Sequence, residues 1–86
     1  MARVMTIEHA TIPAAERAPY LAGLAGRRAH YRDARCRFWV FEEVEMPGQF
    51  IEFAEAADAA ALTAARAAAA GRPLDPVRVY AEVEVE

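Results

Sequence analysis

His9 and Glu52 are the two side chains of this sequence that are best suited to move a proton. An ordinary imidazole titrates near neutral pH, so His9 is able to abstract a phenolic or α-carbon proton. Glu52 has Phe50 and Phe53 as neighbours, and loss of water around its carboxyl would favour the protonated form that a general acid needs. The alternatives are a half-buried His9 held by a neighbouring glutamate, and an ion pair between Glu52 and an arginine across the barrel that the strands would form.

Four further residues have types that would hold an aromatic substrate. Trp39, the single tryptophan, and Phe41 offer flat apolar surfaces on which a ring stacks. Arg78 and Tyr80 are two positions apart, so on a strand they share a face and would bind a developing oxyanion together. The alternatives are a structural role for Trp39 in the core or a dimer interface, and pairing of Arg78 with a glutamate of another strand.

Neither the single cysteine nor the second histidine completes a recognisable catalytic or metal motif. Cys36 lies between Arg35 and Arg37, whose charges favour a thiolate, yet no histidine base is placed beside it. Cys36 is therefore predicted to be structural. His30 lies near the end of a helix, where its charge suits the helix C-terminus. The two histidines have no ligand-spaced partner, so no metal site is predicted.

One stretch of the chain is locally basic. One interpretation is that this stretch attracts an acidic ligand. The alternative is an ordinary surface whose positive charge is balanced by Asp33 and nearby glutamates. Its members are Arg27, Arg28, Arg32, Arg35 and Arg37.

The composition excludes several classes of function. The 86 residues are 56% hydrophobic and 27% charged, which suits a folded domain rather than a disordered chain. The net charge is −3, which argues against a general nucleic-acid-binding protein, because such a protein needs a concentrated basic face. With no apolar run long enough to span a membrane and no visible secretory signal, residues 1–86 are predicted to form one cytoplasmic domain. Ser, Asn and Lys are absent, which excludes serine nucleophiles, lysine Schiff bases and the P-loop.

Four segments have strand character. Residues 3–12 are rich in β-branched types, and residues 77–86 alternate strictly between apolar and polar types. Residues 36–55 contain two aromatic runs separated by Met46-Pro47-Gly48-Gln49. In that tetrad proline presets φ and glycine accepts a positive φ, so the segment is predicted to be a β-hairpin.

Two helices are predicted between the strands. The first follows Pro13 over residues 14–34, and Pro19 requires either a late start or a bend. One of its stripes carries Tyr20, Leu24, Arg27 and Tyr31 at helical spacing. The second covers residues 59–70, with Asp58 as N-cap and Gly71 as its end.

The order of elements is β-α-β-β-α-β, the ferredoxin-like arrangement of the α+β class. Short connections and right-handed crossovers favour an antiparallel sheet of order 4-1-3-2 with both helices on one face. The other face carries too many apolar side chains for contact with water. A homodimer that pairs two such faces is therefore predicted.

With these elements the sequence resembles the dimeric α+β barrel superfamily, in particular the antibiotic biosynthesis monooxygenase-like small proteins. Three features carry the resemblance: a strand running into a proline-started helix, the hairpin FWVFEEVEMPGQFIEF and the helix entry EAADAAAL. Together they extend over nearly the whole chain. None of them is a catalytic motif, so the resemblance is more specific for fold than for function.

The resemblance implies a pocket in each subunit between the helices and the sheet. Relatives use this pocket for cofactor-free oxygenation of aromatic polyketides or quinones, for haem degradation, or for cyclisation and decarboxylation, and others have no known activity. The haem-degrading branch relies on an asparagine and on a histidine of the second helix. This chain has no asparagine and its predicted second helix has no histidine, which excludes haem degradation.

The leading hypothesis is a small-molecule-binding homodimer that acts as a monooxygenase, without metal, flavin or other cofactor, on an aromatic, polyketide-like or quinone compound. Its site comprises a proton carrier, two ring-binding residues and an oxyanion pair: His9 or Glu52, Trp39 with Phe41, and Arg78 with Tyr80. The alternative is a non-catalytic dimeric module of the same fold that binds a ligand or has a regulatory or structural role.

Overall fold

The computed structural model describes residues 3–68 and 78–85. The element order is the predicted β-α-β-β-α-β, with a short 3₁₀ turn before the first helix. The predicted end of the second helix at Gly71 lies outside the described residues. The elements are β1 (Val4–Thr11), a 3₁₀ turn (Ala14–Glu16), α1 (Arg17–Asp33), β2 (Arg37–Glu42), β3 (Gln49–Ala56), α2 (Ala59–Ala68) and β4 (Val79–Ala81).

The four strands form one antiparallel sheet in the order β2-β3-β1-β4, which confirms the predicted order read from its other edge. The last strand is shorter than the predicted segment 77–86. Only Val79–Ala81 pairs with β1, and the ladder ends where the Glu82 N–H donates to the Arg3 carbonyl at 2.8 Å. Beyond that point Val83 and Val85 are exposed. Within the described part of one protomer, no strand pairs with them.

Pro19 lies inside the first turn of α1, which begins at Arg17. A first-turn residue needs no intrahelical N–H bond, so the missing donor costs nothing there. The chain reaches the helix through the 3₁₀ turn, whose Glu16 N–H donates to the Pro13 carbonyl at 2.8 Å. The predicted conflict at Pro19 is thus resolved by where the helix starts.

The hairpin turn between β2 and β3 has the predicted geometry. The Gln49 N–H donates to the Met46 carbonyl at 3.1 Å, and Gly48 between them has φ of 93°. A Cβ on Gly48 would lie 2.7 Å from the Ile12 carbonyl oxygen. The Ile12 N–H in turn donates to the Gly48 carbonyl at 2.8 Å, which ties the turn to the end of β1. Only glycine combines this backbone conformation with this close approach.

Both helices cover the same face of the sheet. The Asp58 carboxylate accepts a 2.7 Å bond from the Ala61 N–H, which confirms it as the N-cap of α2. Leu62 is completely buried and Ala65 almost so, because the small alanines let α2 approach the sheet closely. His30 of α1 donates from Nε2 to the Ala65 carbonyl at 2.8 Å and joins the two helices.

The apolar core lies between the helices and one end of the sheet. Tyr31 and Phe38 stack at its centre with ring centroids 5.1 Å apart and planes within 5°. None of the described helices has the length and apolar character needed to cross a bilayer. The core consists of Val4, Tyr31, Cys36, Phe38, Ala54, Ala56, Leu62 and Ala65.

Candidate functional site

The face of the sheet turned away from the helices carries most of the predicted site residues in cross-strand rows. One row runs from Phe41 through Ile51 to His9. The next runs from Trp39 through Phe53 to Ile7, and the third from Arg37 through Glu55 and Met5 to Tyr80. Trp39, Phe41 and Tyr80 are 37%, 57% and 48% exposed. We refer to this surface, made of these three rows, as the open face.

The open face contains two clefts that each hold a pair of predicted site residues. Trp39 and Tyr80 line a cleft of about 390 Å³ together with Met5. His9 and Phe41 line another of about 350 Å³ together with Ile51. The structure therefore brings Trp39 together with Tyr80 and Phe41 together with His9, in two separate clefts.

Arg78 immediately precedes β4 and is exposed. If the alternation of β4 continues to this residue, Arg78 lies on the same side as Tyr80. It is not among the residues that line the cleft formed by Trp39 and Tyr80.

Glu52 lies on the opposite, helix-covered face of the sheet. Its side chain is 1% exposed, and Arg27 of α1 donates to both of its carboxylate oxygens, at 2.5 and 3.0 Å. The Tyr20 hydroxyl donates to the same carboxylate at 2.6 Å. The sheet thus separates Glu52 from His9. Glu52 is in an ion pair, but its partner is Arg27 of the covering helix and not an arginine across a barrel.

Two more glutamates on the helix-covered face bind arginines of the helices. Glu8 on β1 accepts from Arg66 of α2 at 2.6 Å, and Glu42 on β2 pairs with Arg17 of α1. The Arg17 guanidinium, helped by the Gly48 N–H, lowers the pKa of the Glu42 carboxyl below its usual range. Each of these three glutamates of the helix-covered face is therefore neutralised by an arginine of a helix.

Sequence reasoning placed Tyr20 and Arg27 on one helical stripe without assigning them a partner. They share that stripe with Leu24 and Tyr31, which contribute to the core. A tyrosine and an arginine at apolar spacing require a buried acceptor. The need of Tyr20 and Arg27 for a buried acceptor is the signal in the sequence that would have indicated Glu52 as their common partner.

Cys36 is buried, and burial raises the pKa of its thiol. The thiol lies 3.6 Å from the Ala34 carbonyl, to which it donates. This environment opposes the thiolate that neighbouring arginines would favour, in agreement with the predicted structural role. Among the described residues, no three His, Cys, Asp or Glu side chains are grouped closely enough to hold a metal ion.

No family model matches the sequence, and no curated protein matches it. Two solved structures share its architecture over essentially their whole length. A candidate antibiotic biosynthesis monooxygenase from Bordetella bronchiseptica superposes with a TM-score of 0.64 at 17% identity, covering 100% of both chains. Rv0793 from Mycobacterium tuberculosis superposes with a TM-score of 0.63 at 18% identity, covering 98% of this chain and 96% of that one. The chain thus shares the ferredoxin-like α+β fold of these two structures, and this is the fold that its sequence predicts.

Proposed function

We propose that this chain is a homodimer that binds an aromatic small molecule and oxidises it with molecular oxygen. The observation that carries the proposal is the row of Phe41, Ile51 and His9 on the open face, beside the row that holds Trp39. It places one titratable base among apolar and aromatic side chains. The full-length likeness to a candidate antibiotic biosynthesis monooxygenase supports this reaction class over others that such a surface would serve.

The open face also supports the homodimer. A large apolar surface left in water is unfavourable, and a second copy of the same face offers a matching one about a two-fold axis. A chain of 86 residues buries a smaller share of its surface than a larger domain does, so it gains much from such pairing. In the dimer, the clefts beside Trp39 and His9 would lie near or between the paired sheets.

The proposed reaction starts when His9 removes a proton from an electron-rich hydroxylated aromatic. The resulting phenolate has carbanion character at a ring carbon, where a C–O bond to O₂ forms and gives a hydroperoxide. Loss of the proton from that carbon then breaks the O–O bond, which leaves a ring carbonyl and releases the other oxygen atom as water. The four electrons that O₂ takes up all come from the substrate, so no external reductant is needed. Trp39 and Phe41 hold the ring, while Tyr80 and Arg78 stabilise the oxyanion.

Glu52 has a different part in this proposal. It is bound on the far side of the sheet by Arg27 and Tyr20, so it anchors α1 instead of touching the substrate. Of the two predicted proton carriers, the proposal therefore keeps His9.

A non-catalytic dimeric module is a second candidate, and one observation favours it. The resemblance implies a pocket between the helices and the sheet, yet Leu62 is completely buried there and Glu52 is 2% exposed. At these two positions, packed side chains fill the space between the helices and the sheet where the resemblance implies a pocket. A binding or structural role at the open face would need no such pocket.

The test combines native mass spectrometry with oxygen consumption over a panel of hydroxylated aromatics and quinols. We expect a dimer, and we expect His9→Ala to slow oxygen uptake about 100-fold, the usual contribution of a general base. Thr11→Ala, on the same face of the same strand, is the matched control and should retain the wild-type rate. An unchanged rate in His9→Ala would remove the role of His9. A dimer that consumes no oxygen with any compound would favour the non-catalytic module.

A further inference from the structure

Two adjoining clefts run between helix α1 and the free edge of β2. The first, of about 430 Å³, is lined mainly by apolar side chains, including Leu24, Val40 and Phe41. The second, of about 310 Å³, is lined by Arg28, Arg32 and Arg37. Arg28, Phe38 and Trp39 line both clefts, so the two join into one trough that is apolar at one end and cationic at the other. We call it the edge trough.

Among the described residues, the arginines of the edge trough are little neutralised by carboxylates. Arg3, Arg17, Arg27 and Arg66 each bind a glutamate. Within the described residues, Arg28 and Arg37 have no carboxylate partner, and Arg32 has only Asp33 at 3.5 Å, with both side chains 75% exposed. In a chain whose net charge is −3, the positive charge collected here is available to an external anion.

The backbone next to the trough gives an independent indication. Arg35 has φ of 63°, and it follows α1 in a Schellman motif in which its N–H donates to the Arg32 carbonyl at 2.9 Å. The Cys36 N–H completes the motif at the Tyr31 carbonyl, at 2.8 Å. Glycine is the favoured residue at such a left-handed position, and a side chain there is strained. An arginine in place of glycine at such a position points to a use for its side chain.

Arg35 extends the cationic end of the trough. It lines a neighbouring cleft of about 350 Å³ together with Arg37, which also lines the edge trough, and with Glu55, which is bound by Arg3. Arg35 therefore adds a guanidinium next to Arg37 at this end of the trough.

We propose that the edge trough binds an aromatic carboxylate. The ring lies against Trp39 and the apolar end, while the carboxylate reaches Arg28 and Arg37, whose planar guanidinium groups match its two oxygens. The combined space suits a bicyclic compound. This site shares Trp39 and Phe41 with the open face. It goes beyond the proposed function because it assigns a ligand charge, carried by Arg28 and Arg37 at the sheet edge, and requires no oxidation.

Isothermal titration calorimetry with 2-naphthoate tests the site on the intact protein in its native oligomeric state. We expect saturable binding, and we expect Arg28→Gln and Arg37→Gln each to weaken it about tenfold through loss of a charge-assisted bond. Arg17→Gln, at the other end of α1, makes the same change in net charge and should leave the affinity unchanged. The uncharged 2-naphthamide and inorganic phosphate alone should both bind more weakly than 2-naphthoate.

Arg35→Gly separates recognition from folding. It removes one guanidinium and relieves the strained backbone, so it should weaken 2-naphthoate binding while the melting temperature stays level or rises. Equal affinities for naphthoate and naphthamide would overturn the cationic part of the proposal, and phosphate binding as tightly as naphthoate would overturn the aromatic part. No binding of naphthoate at millimolar concentration would overturn the site altogether. None of these readouts depends on oxygen consumption, so they leave the proposed function to its own test.

Discussion

Glu8 and Glu52 face each other as register partners on β1 and β3, on the side of the sheet that the helices cover. Like charges directly opposite across an antiparallel pair are destabilising. Each carboxylate is bound by an arginine of a different helix, Glu8 by Arg66 of α2 at 2.6 Å and Glu52 by Arg27 of α1 at 2.5 Å. The two helices are thus attached to the centre of the sheet by these ion pairs. Without the helix arginines, the two facing carboxylates would repel each other.

Replacing Arg27 with methionine should therefore destabilise the fold strongly. Glu52 would keep its buried carboxylate but lose the cation that binds both of its oxygens. An uncompensated buried charge of this kind costs about 3–5 kcal/mol. Urea unfolding of Arg27→Met at neutral pH measures the loss, which is a large share of the stability of a small domain.

The second substitution that checks this explanation is Glu52→Gln in the Arg27→Met background. The neutral amide still accepts a bond from the Tyr20 hydroxyl, so the double variant should recover most of the lost stability. Arg66→Met is the matched control on α2. Its partner Glu8 is 17% exposed, so water replaces part of the lost interaction and the loss should be smaller. Equal losses in both single variants would contradict the assignment of the burial penalty to Glu52.

Glu42 should make the stability of the protein depend on pH in the acid range. Its pKa is lowered in the folded state by the bonds from Arg17 and the Gly48 N–H. A carboxyl with a lowered folded-state pKa stabilises fully above its unfolded value, near 4.5, and this contribution is lost as the pH falls through the folded value. Melting temperatures from about pH 7 to pH 3 should show wild type and Glu42→Gln converging in acid.

The neighbouring Glu43 supplies the control for that measurement. Its side chain is exposed, so Glu43→Gln should change the melting temperature little at any pH in the series. A gap between wild type and Glu42→Gln that stays constant down to the lowest pH would show that ionisation of Glu42 is not its source.

The sequence predicts the fold well because its strongest signals are local. Pro47 and Gly48 define a hairpin turn through allowed φ values, and Asp58 caps α2 through a bond three residues away. The exception is β4, whose alternating pattern continues past Ala81 while its pairing with β1 does not. Alternation states which residues share a face, and it does not supply the partner strand.

The candidate site is predicted less completely, for a related reason. Alternation along β1 places His9 on the opposite face of the sheet from the residues next to it in the chain. It does not indicate which of the two faces the helices will cover. That choice placed Glu52 under α1 and His9 on the open face. It depends on how the helices pack on the sheet through Tyr31 of α1 and Leu62 of α2, which alternation within a strand does not encode.

Gly48 and Gly23 should respond in opposite directions to substitution by alanine. Gly48 has φ of 93°, and a Cβ there would lie 2.7 Å from a backbone oxygen of Ile12 that cannot move away cheaply. Gly48→Ala should therefore cost about 2 kcal/mol. Gly23 lies in α1 with nothing within 4 Å of an added Cβ, so Gly23→Ala should stabilise by about 0.5–1 kcal/mol. Thermal unfolding of the two variants in parallel measures both signs, and a loss in Gly23→Ala would contradict the open space described at that position.

Phe41→Glu should dissociate the proposed homodimer without unfolding the protomer. Phe41 is 57% exposed in the protomer, so a glutamate there meets water when the chain is alone. In a dimer that pairs two open faces, the same carboxylate would be buried beside Phe53 and its counterpart in the other copy, an unfavourable place for two like charges. Light scattering after size exclusion measures the mass, and circular dichroism checks that the fold remains.

Val44→Glu is the matched control for that experiment. Val44 lies between β2 and β3, is 94% exposed and belongs to none of the rows of the open face. Val44→Glu introduces the same charge as Phe41→Glu. A change in mass in both variants would therefore reflect net charge and not a specific interface. A wild-type dimer that persists in Phe41→Glu would mean that the sheets do not pair face to face. The apolar rows around Trp39 would then need a different partner.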